Sequence, residues 1–344
     1  MTPRTTAVWG RTSLHRRASA PLALTVAAVA CGSGGAAQRP LRLPAAPREV
    51  QAVSFLGDTL RLPALTPDVR AEREAQLASA RAAYEAAPGD ADALIWYGRR
   101  LAYLGRYREA IAVFGRGIED FPDDARMYRH RGHRYITVRQ LDSALSDLLR
   151  ATQLTAGRPD EVESDGLPNA AGVPTSTLNS NIWYHLGLAH YLRGDFARAA
   201  SAYRECLTYA PGADMAVAAS HWLYMALRRL GDDAQAQTVL APIRRDMAII
   251  ENQSYHRLLL MYAGAVEPES LLAESRVAGA LDNATLGYGI ANWYLYGGDR
   301  ERADTLFAAI LAGPEWAAFG FLAAEAEVAR ERRSHRPARN ERSP

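Results

Sequence analysis

Lysine is absent from this 344-residue sequence, so all 40 of its lysine-plus-arginine side chains are arginine. That excludes Schiff-base lysines and the phosphate-binding lysine of a P-loop; a GC-rich genome would produce the same bias. Cysteine is nearly absent, with only Cys31 and Cys206. β-branched residues are sparse beside Ala, Leu, Arg and Tyr, so local propensity favours helix throughout. No serine sits in a nucleophile elbow, and no glycine-rich phosphate loop follows a strand. His130 and His133 are three residues apart and His185 and His190 five, with no cysteine or acid at metal-ligand spacing. Neither a metal, a cofactor nor a catalytic residue is therefore expected.

What is present suits a folded chain. At 48% hydrophobic and 23% charged residues, it can bury a sizeable core. Its net charge of +2 mixes segments of different kinds. Residues 1–30 carry four arginines and no acid, and residues 330–344 carry six arginines against Glu331 and Glu341, so the middle is about −6. An acidic body argues against nucleic-acid binding. The arginine-rich segment 331–344 reads as a disordered, solvated tail or as one drawn to an anionic surface.

The N-terminus reads as an export signal over residues 1–30. Basic residues ending in Arg16-Arg17 precede an apolar run from Ala20 to Ala30. That run suits a signal peptide and is too short to span a bilayer, which takes roughly 20 residues. It closes with Ala28-Val29-Ala30-Cys31, which resembles a bacterial lipobox, with Ala28 where leucine is usual. The resemblance implies lipidation at Cys31 and a membrane-anchored lipoprotein, in the outer membrane facing the periplasm or at the cell surface. An ordinary secreted protein with a cysteine at this place is the alternative. Residues 31–66 would be the lipidated, flexible linker, since Gly32-Ser33-Gly34-Gly35 and Pro40, Pro44 and Pro47 disfavour a packed element. The alternation of Val53, Phe55, Leu60 and Leu62 around Gly57-Asp58 suggests a short hairpin lying on the first helix.

The body is organised by a period. Pro88 and Pro122 are 34 residues apart, each after an amphipathic segment. Residues 91–124 carry Leu94, Tyr97, Gly98, Leu101, Gly105, Ala110, Phe114 and Pro122. Residues 180–213 carry Trp183, Leu186, Gly187, Gly194, Ala199, Tyr203, Cys206 and Pro211. A glycine at the closest approach of two helices, a second at their turn and a small residue opposite allow tight helix pairing. These spaced positions resemble the tetratricopeptide repeat (TPR) family. Weaker copies lie near 125–158, where Arg131 replaces an apolar residue, and near 217–250 and 284–317, with a degenerate helix pair at 254–276. The resemblance implies an all-α fold, a right-handed superhelical solenoid of helix–turn–helix repeats over 67–330. It would open on a lone helix at 67–87 and close on a capping helix at 316–330. Residues 159–179 interrupt the array as a loop insertion, either covering a ligand or forming a plain surface excursion.

In such arrays the first helix of each pair lines a concave groove. Carried onto this chain, the groove presents Arg99, Tyr103, Arg126, Arg129 and His133, then Tyr184, Tyr191, His221, Tyr288 and Asn292. Guanidinium groups beside phenols suit a protein or peptide partner, or another anionic ligand; arginines that merely solvate a helix face are the alternative. The chaperone-binding carboxylate clamp is not reproduced, because Ile95 and Arg99 stand where it uses lysine and asparagine. By analogy of architecture, envelope lipoproteins that assist outer-membrane, pilus or cell-wall assembly are the nearest functional class. A small-molecule or glycan receptor using the aromatic half of the groove is the alternative.

Overall fold

Strong helix formers, punctuated about every 15 residues by Gly, Pro or Asp, leave the chain little choice but short helices joined by tight turns. A computed structural model describes residues 41, 43–44, 49–277 and 280–335. The expected export signal and Cys31 lie outside the described residues, as does 336–344 of the expected tail. The described residues open on two strands, β1 (Val50–Val53) and β2 (Thr59–Arg61). Helix α1 (Pro67–Ala86) follows, and then three helix pairs. These are α2 (Ala91–Tyr103) with α3 (Tyr107–Asp120), α4 (Ala125–Thr137) with α5 (Leu141–Thr155), and α6 (Leu178–Arg193) with α7 (Phe196–Thr208). Next come α8 (Ala213–Arg229), α9 (Asp233–Leu240), α10 (Gln253–Tyr262) and α11 (Pro268–Val277). The array ends with α12 (Ala280–Tyr296), α13 (Arg300–Leu311) and α14 (Phe319–Ser334). The protein is an all-α repeat solenoid in which each pair packs on the next around one large core, with a small separate cluster of Ala125, Ala151, Leu154 and Ile182.

Local chemistry sets the helix ends. Asp90 and Asp124 cap α2 and α4 by accepting N–H groups of the first turn, and Thr177 and Ser180 form a reciprocal capping box on α6. Close pairing is set by glycine. A Cβ on Gly98 would fall 2.6 Å from the Phe114 ring, and one on Gly187 would fall 2.8 Å from the Tyr203 ring. Gly105 and Gly194 turn the chain between paired helices at φ of 75° and 84°. In the α4–α5 pair that left-handed place is taken by Arg139, at φ 64°, a conformation that costs a non-glycine residue about 1–2 kcal/mol.

Arg139 is there for its side chain. It is buried and ion-paired with Glu325 of α14 at 2.7 Å, and Glu325 is itself fully buried. Arg139 also donates to Thr137 O at 2.6 Å and to Trp316 O at 2.8 Å. Glu325 accepts the N–H of Phe55, and Trp316 Nε1 donates to Arg61 O at 3.0 Å. One carboxylate thus joins the hairpin, the α4–α5 turn and the last helix. Two residues on, Glu327 accepts from Arg229 at the end of α8, from Arg330 and, at 3.4 Å, from Tyr288 of α12.

Helix α14 is therefore not only a cap. It packs on α12 and α13 as the next helix of the array, and its other side lies along the inner ends of α6 and α8. Gly320, Phe321, Leu322, Ala323, Ala324, Ala326 and Ala329 are all buried, so no stripe of the helix is left for solvent over that stretch. Helical structure runs four residues into the segment expected to be a disordered tail, and Glu331 ion-pairs with Arg300. The expected hairpin forms, with hydrogen bonds to α3 and α14. Gln51 accepts the Arg108 N–H at 3.2 Å, and Pro63 abuts Gly105. Arg131, out of place for an apolar position, is held by Asp147 of α5 through two bonds of 2.7 and 2.8 Å.

Gly187→Leu is expected to lower stability by about 1–3 kcal/mol, because the added side chain must displace Tyr203 from a closed core. Thermal melting checks this; a melting point within a degree or two of the parent would contradict the packing described.

Candidate functional site

Beside α14, a stretch of the concave side stays open among the described residues. It is a basin of about 360 Å³. One wall carries Arg99 and Tyr103 of α2 and Arg129 and His133 of α4; the floor carries Tyr184 and His185 of α6, Tyr255 of α10 and Phe319 of α14. The opposite wall is the insertion between α5 and α6. Its two legs are pinched by a bridge between Val162 and Thr177 and by Leu178 N donating to Glu161 O at 2.8 Å. Its tip is turned by Gly172 at φ 64°, with Asn169 Oδ1 accepting the N–H groups of Ala171 and Val173. A deeper niche of about 120 Å³ continues between Arg99, Arg129, His130, His133, Arg134 and Glu163.

The insertion is fastened at three places. Arg100 donates to Gly166 O at 3.0 Å, and Tyr103 lies so close under Gly166 that a Cβ there would fall 1.6 Å from its hydroxyl. Glu251 accepts from Asn169 Nδ2 and from Thr175 Oγ1, each at 2.8 Å. Asp214 in turn fixes the backbone around Glu251, accepting its N–H at 2.7 Å and that of Asn252 at 2.9 Å. Glu163 meets Arg129 at 2.9 Å. The insertion thus forms one wall of the basin.

Charge in the basin is only partly compensated. Arg129 Nε and Glu163 Oε2 are both buried and make no hydrogen bond, so their contact is an ion pair of poor direction; Arg129 Nη1 lies 3.0 Å from His130 Nδ1. Arg99 stacks on Trp96 with its guanidinium carbon 4.5 Å from the ring centre and donates to Tyr103 Oη. Arg134 stands over the Tyr107 ring. Among the described residues neither Arg99 nor Arg134 forms an ion pair. Burial, then the neighbouring Arg129 and Arg99 charges, lower the Arg134 pKa to about 10. Burial first, then nearby arginines, hold His130, His133 and His185 well below the usual imidazole value. The three rings are therefore neutral at pH 7, with His133 and His185 packed 4.1 Å apart between centres. On the far wall, burial and then the Glu251 charge push the Asp165 carboxyl up.

The residues predicted to line the groove divide three ways. Arg99, Tyr103, Arg129, His133 and Tyr184 meet in the basin. Arg126 stands outside it, bound to Asp92 and to Asp124 at 2.6 Å, so its charge is already met. Tyr191, His221, Tyr288 and Asn292 do not line a groove at all, because α14 and α10 cover them. Tyr191 Oη lies 2.8 Å from Tyr288 Oη and accepts from Asn292 Nδ2 at 2.9 Å, all three wholly buried. His221 is sandwiched by Tyr255 and Tyr262. The Tyr191 and Tyr288 hydroxyls and the Asn292 Nδ2 are spent inside the core, while Asn292 Oδ1 is buried without a hydrogen-bond partner. The sequence reading passed over Arg134, Glu163, Tyr255 and Phe319. The first was discoverable as the residue after His133 on the same helix; the others depend on distant segments folding back.

Stacked helix pairs with glycine-set crossings around one large core define a helical-repeat solenoid. Two of its segments, residues 91–134 and 180–213, match models of the tetratricopeptide repeat, so the chain carries tetratricopeptide repeats. No curated protein matches the chain. Similar solved structures include YrrB, a TPR protein with an unusual peptide-binding site, at 14% identity over 74% of this chain and 97% of that chain, with a TM-score of 0.39. PilF of Pseudomonas aeruginosa is similar at 16% identity over 70% and 84%, with a TM-score of 0.42. PilW, a widely conserved type IV pilus biogenesis factor, is similar at 16% over 70% and 86%, with a TM-score of 0.41. TPR arrays are in general protein-interaction scaffolds, and the repeats give this chain that general role.

The buried imidazoles make stability depend on pH. The unfolded chain takes up their protons near pH 6.5, whereas the folded chain resists, down to about 3 for His221. The unfolded state then binds more protons, so stability is complete above pH 6.5 and falls on acidification, by up to ~1.4 kcal/mol per pH unit for each histidine. The melting temperature is expected to be level from pH 8 to 7 and to decline from 6.5 to 5, with a shallower decline in His221→Gln. A level profile down to pH 5 would contradict the burial of these rings.

Proposed function

We propose that this protein is an exported, lipid-anchored TPR adaptor that holds an anionic segment of a partner protein in the basin between α2, α4 and the insertion. The observation that carries this reading is the pair of guanidinium groups, Arg99 and Arg134, which face the basin and its niche without an ion pair among the described residues. A buried or half-buried arginine without a carboxylate is costly, and a planar anion offers the bidentate bonds it lacks. The location at a membrane surface is supported by the Ala28-Val29-Ala30-Cys31 sequence. Firm anchoring takes more than one acyl chain, because a buried CH₂ contributes only about 0.8 kcal/mol.

A second reading, a small-molecule receptor, is favoured by the compactness of the basin. The aromatic half of the groove is closed by α14, so a glycan spread across Tyr191 and Tyr288 has no access. Tyr184, Tyr255 and Phe319 remain as an apolar floor for a small ligand.

A photo-cross-linking residue in place of Tyr103, in intact host cells, separates the readings. The expected result is a covalent adduct with a protein, lost when Arg99→Glu is added and kept with Arg108→Glu on α3, since both change the charge equally. The adduct is expected in the membrane fraction, and in the soluble fraction after Cys31→Ala. Absence of any protein adduct, with cross-linking only to small molecules, would establish the second reading and overturn the first.

A further inference from the structure

The basin has two walls of opposite sign, joined by one ion pair, Arg129 with Glu163 at 2.9 Å, which leaves the other charges of both walls unpaired. Arg99, Arg134 and the poorly directed Arg129 stand on α2 and α4. Asp165 and Glu251 stand opposite, on the insertion and just before α10, and among the described residues neither forms an ion pair. Glu251 is held in place by Asn169, Thr175 and the Asp214 carboxylate behind its backbone, so the acidic wall is built and not a chance meeting of mobile side chains. The Arg129 side chain is only 9% exposed, yet its Nε lacks a hydrogen bond and lines the basin. A simple anion would find partners on one wall and repulsion from the other; a simple cation would meet the reverse. Only a ligand carrying both charges satisfies the two walls together.

We propose that the basin recognises a dipolar segment, with a carboxylate seated on Arg99 and Arg134 and an ammonium or guanidinium seated on Asp165 and Glu251. This rests on the basin being the binding site proposed above, and it refines the ligand from anionic to mixed in charge. The neutral floor of Tyr184, Tyr255 and Phe319 takes the uncharged spacer between the two groups. The same chemistry is offered by an acidic and a basic residue close together in a partner's chain, or by a free basic amino acid.

Three end-blocked, fluorescently labelled peptides test this with the full chain: Glu-Ser-Ser-Lys, Glu-Ser-Ser-Gln and Gln-Ser-Ser-Lys, with free lysine as an unlabelled competitor. The mixed peptide is expected to bind at least tenfold more tightly than either single-charge peptide, a difference of about 1.4 kcal/mol. Asp165→Asn with Glu251→Gln is expected to erase the advantage of the lysine while leaving the glutamate peptide unchanged. Arg99→Gln is expected to erase the advantage of the glutamate. Asparagine and glutamine keep the size of the two carboxylates, Arg99→Gln gives up the guanidinium, and circular dichroism melts confirm that both variants fold. Competition by free lysine at equal potency assigns the dipolar ligand to a small molecule; its failure to compete assigns it to a peptide. Equal binding of Glu-Ser-Ser-Lys and Glu-Ser-Ser-Gln would overturn the dipolar proposal and leave the anionic site standing. No binding of any of the four would overturn it outright, and cross-linking at Tyr103 then decides the broader reading separately.

Discussion

The arrangement of the molecule depends on one buried ion pair. Arg139 occupies, at φ 64°, a turn position where five of the other helix pairs have a glycine, and its guanidinium meets Glu325 in a site that neither residue shares with solvent. Such a pair is not by itself a large source of stability, since two charges must leave water. What it does is fix position. Glu325 can be satisfied only where Arg139 and the Phe55 N–H converge, so α14 is held to one depth and one rotation inside the array. Removing one partner would strand the other, at a cost of about 3–5 kcal/mol.

From that placement the rest follows. A TPR array offers its inner face to partners, and here much of that face is covered by the chain itself. The phenols of Tyr191 and Tyr288 bond to each other, and Tyr288 reaches Glu327 of α14, converting a recognition surface into a polar core. Where α14 begins, at Phe319, its cover stops, and the insertion between α5 and α6 forms the remaining wall. Self-occupation therefore shortens an extended groove to a basin with a cationic side, an acidic side and an aromatic floor. On the reading proposed above, a scaffold of this form answers to the local charge pattern of a ligand more than to its length.

The repeat was legible in the sequence because its determinants are local. Gly98 with Phe114 and Gly187 with Tyr203 recur at fixed offsets, and each pair meets in space within one helical hairpin. The inward direction of Arg99, Tyr103, Arg129 and His133 was legible for the same reason, as it follows from position on a helix. The path of α14 was not, because Glu325 is paired with a residue 186 positions away and nothing near it announces the contact. Arg139 was hidden too: Val138-Arg139-Gln140 has no glycine to mark a left-handed turn. The charge state of the groove was misjudged where partners came from outside the helix face. Asp92 and Asp124 meet Arg126, and Glu163 of the insertion meets Arg129, so the positive patch is smaller than a count of arginines suggests.

Hydrogen exchange along α14 tests the central point most directly. If α14 is a fixed part of the core, the amides of Ala323 to Ala326 exchange only through global unfolding, with the same free energy as those of Leu186 to Ala189 in α6. Exchange at a markedly lower free energy, with α6 still protected, would show that α14 leaves the inner face while the array stays folded. In that case the whole concave groove, and not the basin alone, would be open to a partner.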